Sequence, residues 1–390
     1  MCDNTSSENN SSPHDKTATA LFEEIQVTYR IPALIYISES QTYLAFAEKR
    51  KTKEDMDAKE LVMRRGSWKH DKNEVEWDCE HKVLEKAQKP NHRSMNPCPV
   101  YERDSKTLFL FFICIPDGVS EKDQKKEKRN QAKLCYITSK DSGLTWNDIT
   151  DLKDVISEKE KNWATFAVGP GHGVQMKNGK LIIPAYAYRT SFCHWACCCL
   201  PCCCLSCCGL SGCCLTSYAF AFYSVDKGNT WHVGEHVDGE SNECQMAEII
   251  DDKGNRKLYC NARGTSGYRV EALSKSDGKD FDKPSSAQEL IETGGGCQGS
   301  VLSILSPDQR TWLLHSHPSD KEERKDLTIY INKSLKDPMQ WETLKCINAG
   351  PSGYSDLAEC EDKNYIACLF ECGQKNGTEM IAFTLYKLSQ

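Results

Sequence analysis

The sequence predicts an all-β chain folded as a six-bladed β-propeller, and two observations carry that prediction. Residues 139–146 read SKDSGLTW and residues 224–231 read SVDKGNTW, so both follow Ser-x-Asp-x-Gly-x-Thr-Trp. Around them run short apolar segments with frequent turn signals, while long amphipathic helical patterns are scarce.

The octet is a turn. Asp141 and Asp226 can accept hydrogen bonds from nearby amides, and Gly143 and Gly228 supply conformations that other residues resist. Trp146 and Trp231 are expected to anchor each hairpin against its own sheet. Two decayed copies follow: SKSDGKDF (274–281) has Ser276 where Asp is expected, and SLKDPMQW (334–341) keeps Ser334 and Trp341. The lost Asp is expected to weaken that third turn. A turn motif repeated between antiparallel strands points to a propeller, and roughly sixty residues per blade fits six blades. A β-helix or a pair of β-sandwiches would need the two full octets to coincide by accident.

The strands are expected at 31–37, 42–48, 107–115, 180–188, 218–225, 311–317, 327–332, 364–371 and 380–388. Residues 1–20 are polar, lack an apolar core segment and read as a disordered lead-in without a signal peptide. Residues 21–390 then form the propeller domain. The 390 residues carry a net charge of −7, which argues against nucleic acid as a partner.

Ordered along the chain stand YRIPA (29–33), AFAEKR (45–50), HRSMNPC (92–98), WATFAVGPGHG (163–173) and NECQMAE (242–248). NAR (261–263), GCQGSV (296–301), RKDL (324–327), GYSDLAE (353–359) and CLFECG (368–373) follow. Together with the repeated turns, the Asp-boxes of that family, these resemble the vertebrate sialidases from Tyr29 to about Leu388. FFICI, WATFAVGPGHG and LFECG are most similar to the membrane-associated ganglioside sialidases.

The resemblance implies an exo-α-sialidase that retains configuration and needs neither metal nor organic cofactor. It implies that Arg30, Arg263 and Arg324 grip the carboxylate of the sugar. Arginine's planar fork suits that group, although most of the 49 Lys and Arg will only pair at the surface. It further implies Tyr354 as nucleophile, Glu243 as the base that activates it, Asp55 as acid/base and Glu371 as the brace of the first arginine. A phenol avoids the repulsion that a carboxylate nucleophile would meet from the substrate's own carboxylate. Arg50, Met95, Asn96, Tyr186, Tyr188 and Gln298 are the remaining pocket residues by motif, with Glu121 a looser candidate inside a charge run. A lectin-like propeller would keep the arginines and could lose Tyr354, Glu243 or Asp55; all three are present. A scaffold for protein partners would have no use for the matched arginines.

One stretch lies outside the shared pattern. Residues 193–214, CHWACCCLPCCCLSCCGLSGCC, hold eleven of the 23 cysteines and no charged residue. The segment 192–215 is long and apolar enough to suggest a membrane span. A span there would put Arg30 and Asp55 on one side of the bilayer and Tyr354 on the other, so it reads as a loop inserted between propeller strands. Three readings stay open: S-acylation of a membrane-facing loop, an inert buried loop, and a metal cluster built on CLPC and CLSC. The leucines, Trp195 and the absence of charge suit acylation, with several cysteines reinforcing one another. The expected setting is a membrane surface bearing sialylated glycolipids, or the cytoplasm, with sialylated glycans as partners.

Overall fold

In a computed structural model, residues 18–157, 159–192, 213–251, 254–306, 309–335 and 339–388 are described. The cysteine-rich run 193–212 and the lead-in up to residue 17 lie outside them. Residues 19 and 20, read above as lead-in, instead begin the strand Thr19–Phe22. That strand pairs with the last strand, Met380–Lys387, and ties the start of the domain to its end.

The chain is all-β, with the nine expected strands present and the sheets set in a propeller-like arrangement. Each sheet is an antiparallel meander whose faces are apolar on both sides, as stacked blades require. Phe109, Phe111, Ile183, Phe220 and Phe222 fill one seam between neighbouring sheets, and Leu44, Phe46, Leu110 and Phe112 fill another.

Six separate blades do not form. Among the described residues the hydrogen bonding gives four sheets of four or five strands and one of seven. The reason is a single strand, Glu342–Glu359, of 18 residues. Its residues 342–351 pair with Lys325–Asn332, and residues 352–359 pair with Tyr365–Cys372. This sheet packs on itself, with Leu314, Leu327 and Ile329 from one half against Ile366, Cys368 and Phe370 from the other.

The octets form the expected turns. Ser139 Oγ donates to Asp141 (2.8 Å) and accepts the Gly143 amide (2.9 Å), while Asp141 accepts the Thr145 amide at 2.9 Å. Ser224, Asp226, Gly228 and Thr230 repeat these contacts. In the third copy the Ser276 hydroxyl accepts the Asp280 amide at 3.0 Å and donates to Asp280 Oδ1 at 2.7 Å. A hydroxyl thus replaces the missing carboxylate, and the expected weakening is met locally.

The tryptophans differ from expectation in their partners. Trp231 lies with its ring centre 4.6 Å from Phe111 and 5.8 Å from Phe109, both in the preceding sheet. Trp146 likewise meets Phe46 of the sheet before it, at 6.3 Å. Gly228 shares the job: a Cβ there would stand 2.4 Å from Phe109. The turn residues therefore wedge neighbouring sheets together, because the turn overhangs the seam. Trp231→Ala is expected to cost about 3–5 kcal/mol, the usual range for emptying a buried aromatic site, read as a lower urea midpoint.

Candidate active site

The inner strands of the sheets start at one face of the molecule, and their first residues line a cavity of about 780 Å³. Arg30 is the third residue of the strand Thr28–Ile37, immediately before a break in its pairing register. Ile31, at that break, takes φ +60°, a costly conformation for a β-branched residue, and both Arg30 and Ile31 line the cavity.

The wholly buried Glu371 holds that arrangement. It accepts Arg30 Nε (2.7 Å), Arg30 Nη2 (3.3 Å), the Ile31 amide (2.9 Å) and the Tyr354 amide (3.0 Å). One carboxylate thereby neutralises the first arginine and sets the backbone under the tyrosine.

Tyr354 donates its phenolic hydrogen to Glu243 Oε1. The other oxygen of Glu243 accepts Arg263 Nη1 at 2.9 Å. The guanidinium carbons of Arg30 and Arg324 stand 5.3 and 5.4 Å from the centre of the Tyr354 ring. Burial and then the Glu243 carboxylate push the phenol well above its usual range, while Arg263 and Arg324 pull the other way. The resting hydroxyl is neutral, with its proton acceptor already in place.

Among the described residues Arg324 has no carboxylate partner; Nε and Nη2 both donate to the Gly296 carbonyl, at 3.1 and 2.8 Å. Also lining the cavity, the buried Arg50 binds Glu48 Oε2 (2.6 and 2.8 Å) and Asp55 Oδ1 (2.7 Å). Asp55 is the accessible member, with 64% of its side chain exposed. Glu48 Oε1 also accepts the Asn96 amide at 2.7 Å.

The cavity therefore brings together five arginines, a hydroxyl–carboxylate pair and an accessible acid. The chain matches the BNR repeat-like domain over residues 41–367. It is 41% identical to Sialidase-3 of Rattus norvegicus, across 93% of this chain and 92% of that one. Against Sialidase-2 of Mus musculus it is again 41% identical, across 92% of each. The chain belongs to the sialidase family. As a sialidase it is a glycoside hydrolase, an exo-α-sialidase. Among solved structures, the intramolecular trans-sialidase from Ruminococcus gnavus in complex with oseltamivir carboxylate has a TM-score of 0.70. It is 17% identical, over 97% of this chain and 99% of that chain, a likeness of fold.

In this sialidase Arg30, Arg50, Asp55, Met95, Asn96, Tyr186, Tyr188, Glu243, Arg263, Arg324 and Tyr354 all line the one cavity, and so does Glu121. Glu121 sits on a short helix, Glu121–Glu127, where it pairs with Lys125; the Lys125 ammonium lies 3.4 Å from the centre of the Tyr188 ring.

Gln298 is a correction. It does not line the cavity: its side-chain amide donates to Pro170 O (3.2 Å) and Ser355 O (3.0 Å) and accepts from the Ser355 amide (3.0 Å). Its side chain thus ties Ser355, the residue after Tyr354, to Pro170. Glu371, expected as a brace, is likewise behind the wall rather than on it.

Sequence reasoning passed over Arg93, Asn242 and the loop Glu292–Gly296, all of which line the cavity. Arg93 and Asn242 stand inside the motifs HRSMNPC and NECQMAE, so the signal was adjacent. Asn242 donates to the Tyr188 hydroxyl (2.8 Å) and accepts the Glu243 amide (2.8 Å), linking two wall residues. For the loop, the run Gly294-Gly295-Gly296 was the available signal.

Proposed function

We propose that this exo-α-sialidase works by retention through a Tyr354 adduct, on sialylated glycolipids held at a membrane surface. The observation that carries the first part is the contact of Tyr354 with Glu243 beneath three arginines. Sialidases are the glycosidases with a tyrosine nucleophile.

Arg30, Arg263 and Arg324 receive the substrate carboxylate. Glu243 takes the phenolic proton as the Tyr354 oxygen bonds to the anomeric carbon. The bond from that carbon to the glycosidic oxygen breaks, and Asp55 gives the leaving oxygen a proton. Water then loses a proton to Asp55 while its oxygen attacks the anomeric carbon. The Tyr354 bond breaks and the phenolate recovers its proton from Glu243. Two displacements on one carbon leave the configuration unchanged. Met95, Asn96, Arg50, Tyr186 and Tyr188 frame the rest of the sugar.

The strands Leu181–Phe192 and Cys213–Ser224 support the membrane reading. They carry Tyr186, Tyr188 and Ser217 into the cavity wall and stay paired as far as Phe192–Cys213, so the strands that line the cavity are the ones that flank the cysteine-rich stretch in sequence. Several S-acyl chains there would hold the mouth against a bilayer. No helix among the described residues is long and apolar enough to cross a membrane.

Release of sialic acid from ganglioside micelles and from a soluble sialyl-oligosaccharide tests the substrate. Faster release from gangliosides is expected; equal or slower release removes the glycolipid preference, and binding without release leaves a lectin. Serine at all the cysteines of 193–214 is expected to move the protein from the membrane to the soluble fraction. Unchanged partitioning would contradict the acylated anchor.

A further inference from the structure

We propose that a buried stitch of Arg269, Glu292 and Thr293 positions two of the three clamp arginines, and so sets how tightly the enzyme grips a carboxylate. The inference rests on the reading that Arg263 and Arg324 bind the carboxylate of the substrate.

The stitch starts from the glycine loop. The Gly295 carbonyl accepts Arg263 Nη2, and the Gly296 carbonyl accepts both donors of Arg324. The two arginine heads therefore donate to consecutive main-chain oxygens of the glycine run 294–296, which has no side chains of its own. Glycine is required there by space as well as by φ: a Cβ on Gly296 (φ +73°) would stand 2.4 Å from Arg263 Nε, and one on Gly294 would stand 2.1 Å from the Glu322 carbonyl. A run of three glycines left to itself is mobile, and a mobile loop cannot hold a pair of cations in register.

Glu292 and Thr293 remove that freedom. Glu292 Oε1 accepts the Gly264 amide at 3.0 Å, the residue after Arg263. Its Oε2 accepts the Cys297 amide at 3.2 Å, the residue after Gly296, and lies 3.2 Å from His317 Nε2. Thr293 Oγ1 donates to the Glu323 carbonyl at 2.6 Å, the residue before Arg324. Two adjacent side chains thus pin the chain next to both arginines and both ends of the glycine run.

Arg269 underlies them. It is wholly buried and donates Nη1 to Glu292 Oε1 (2.8 Å) and to the Cys297 carbonyl (2.7 Å), and Nε to Asn261 Oδ1 (2.8 Å). A buried ion pair is a weak route to stability but a good way to specify one geometry. These are positioning residues, acting through Arg263 and Arg324.

The test compares wild type, Glu292→Gln and Thr293→Val in binding an unsaturated sialic acid analogue and its C1 carboxamide, alongside kcat and KM on a soluble sialoside. Glu292→Gln takes the charge from a buried pair and risks the fold. Thr293→Val removes one hydroxyl, so it decides the matter if the first variant does not fold. Wild type is expected to favour the acid over the amide strongly. In the variants that preference shrinks about tenfold, the usual scale for losing a supporting contact, and KM rises more than kcat falls. Folded variants that keep the full preference would overturn the stitch. A wild type that binds the amide as well as the acid would overturn the clamp on which the stitch rests.

Discussion

If Tyr354 is the nucleophile, Tyr354→Phe is expected to lower kcat about 10⁴-fold, the scale on which loss of a catalytic group is felt, while the protein stays folded. The substitution removes one oxygen. Glu243 keeps its pairing with Arg263 at 2.9 Å, so no buried charge is stranded. The stability cost is that of one hydrogen bond, about 1–2 kcal/mol. On the proposed mechanism the substrate would still meet Arg30, Arg263 and Arg324, so KM is expected to change little. Steady-state kinetics beside a urea melt separates these outcomes. A variant retaining a tenth of the activity would show that the phenol is not the attacking group. Glu243→Gln is expected to fall almost as far, and the double variant no further, because the two residues act as one unit.

Glu371→Gln attacks both fold and function. Glu371 is fully buried and holds four donors from three residues, one of them the Arg30 guanidinium. Removing the charge strands Arg30 in a site where breaking a buried pair costs about 3–5 kcal/mol. The same change frees the strained Ile31 and loosens the chain under Tyr354. Expected are a large drop in the urea midpoint and a loss of kcat/KM of at least about 10²-fold. Asp55→Asn supplies the contrast. Its side chain is 64% exposed and its pairing with Arg50 is backed by Glu48, so stability should move by less than about 1 kcal/mol. Activity should still fall by about 10²–10⁴-fold, as for other proton-transfer groups.

Much of the site was legible because its residues sit in short motifs whose chemistry is local. YRIP places an arginine two residues before a rigid proline, NECQ places an acid just before the strand Cys244–Ile250, and GYSDL places a phenol where the long strand Glu342–Glu359 has changed partners. The octets were legible for the same reason: Ser139, Asp141, Gly143 and Thr145 make their bonds within seven residues. What was hidden depends on neighbours far along the chain. Gln298 stands in a matched motif, yet its amide is spent on Pro170 and Ser355, 128 and 57 residues away. Trp231 meets Phe109 and Phe111 across a seam that no local pattern reveals. The blade count failed at Glu342–Glu359, where the turn-like run Gly350-Pro351-Ser352-Gly353 passes straight through as strand. Gly350 does take φ +91°, but only as the point where the strand changes partners.

The measurement that bears most directly on the account is peptide mass spectrometry of the enzyme quenched after reaction with a sialic acid carrying fluorine at C2 and C3. Fluorine at C2 leaves as the adduct forms, and fluorine at C3 slows its hydrolysis. The account predicts one added 3-fluorosialyl group, on the peptide containing Tyr354, absent in Tyr354→Phe. Label on Glu243 or Asp55, or none on an enzyme that the compound has inactivated, would contradict it.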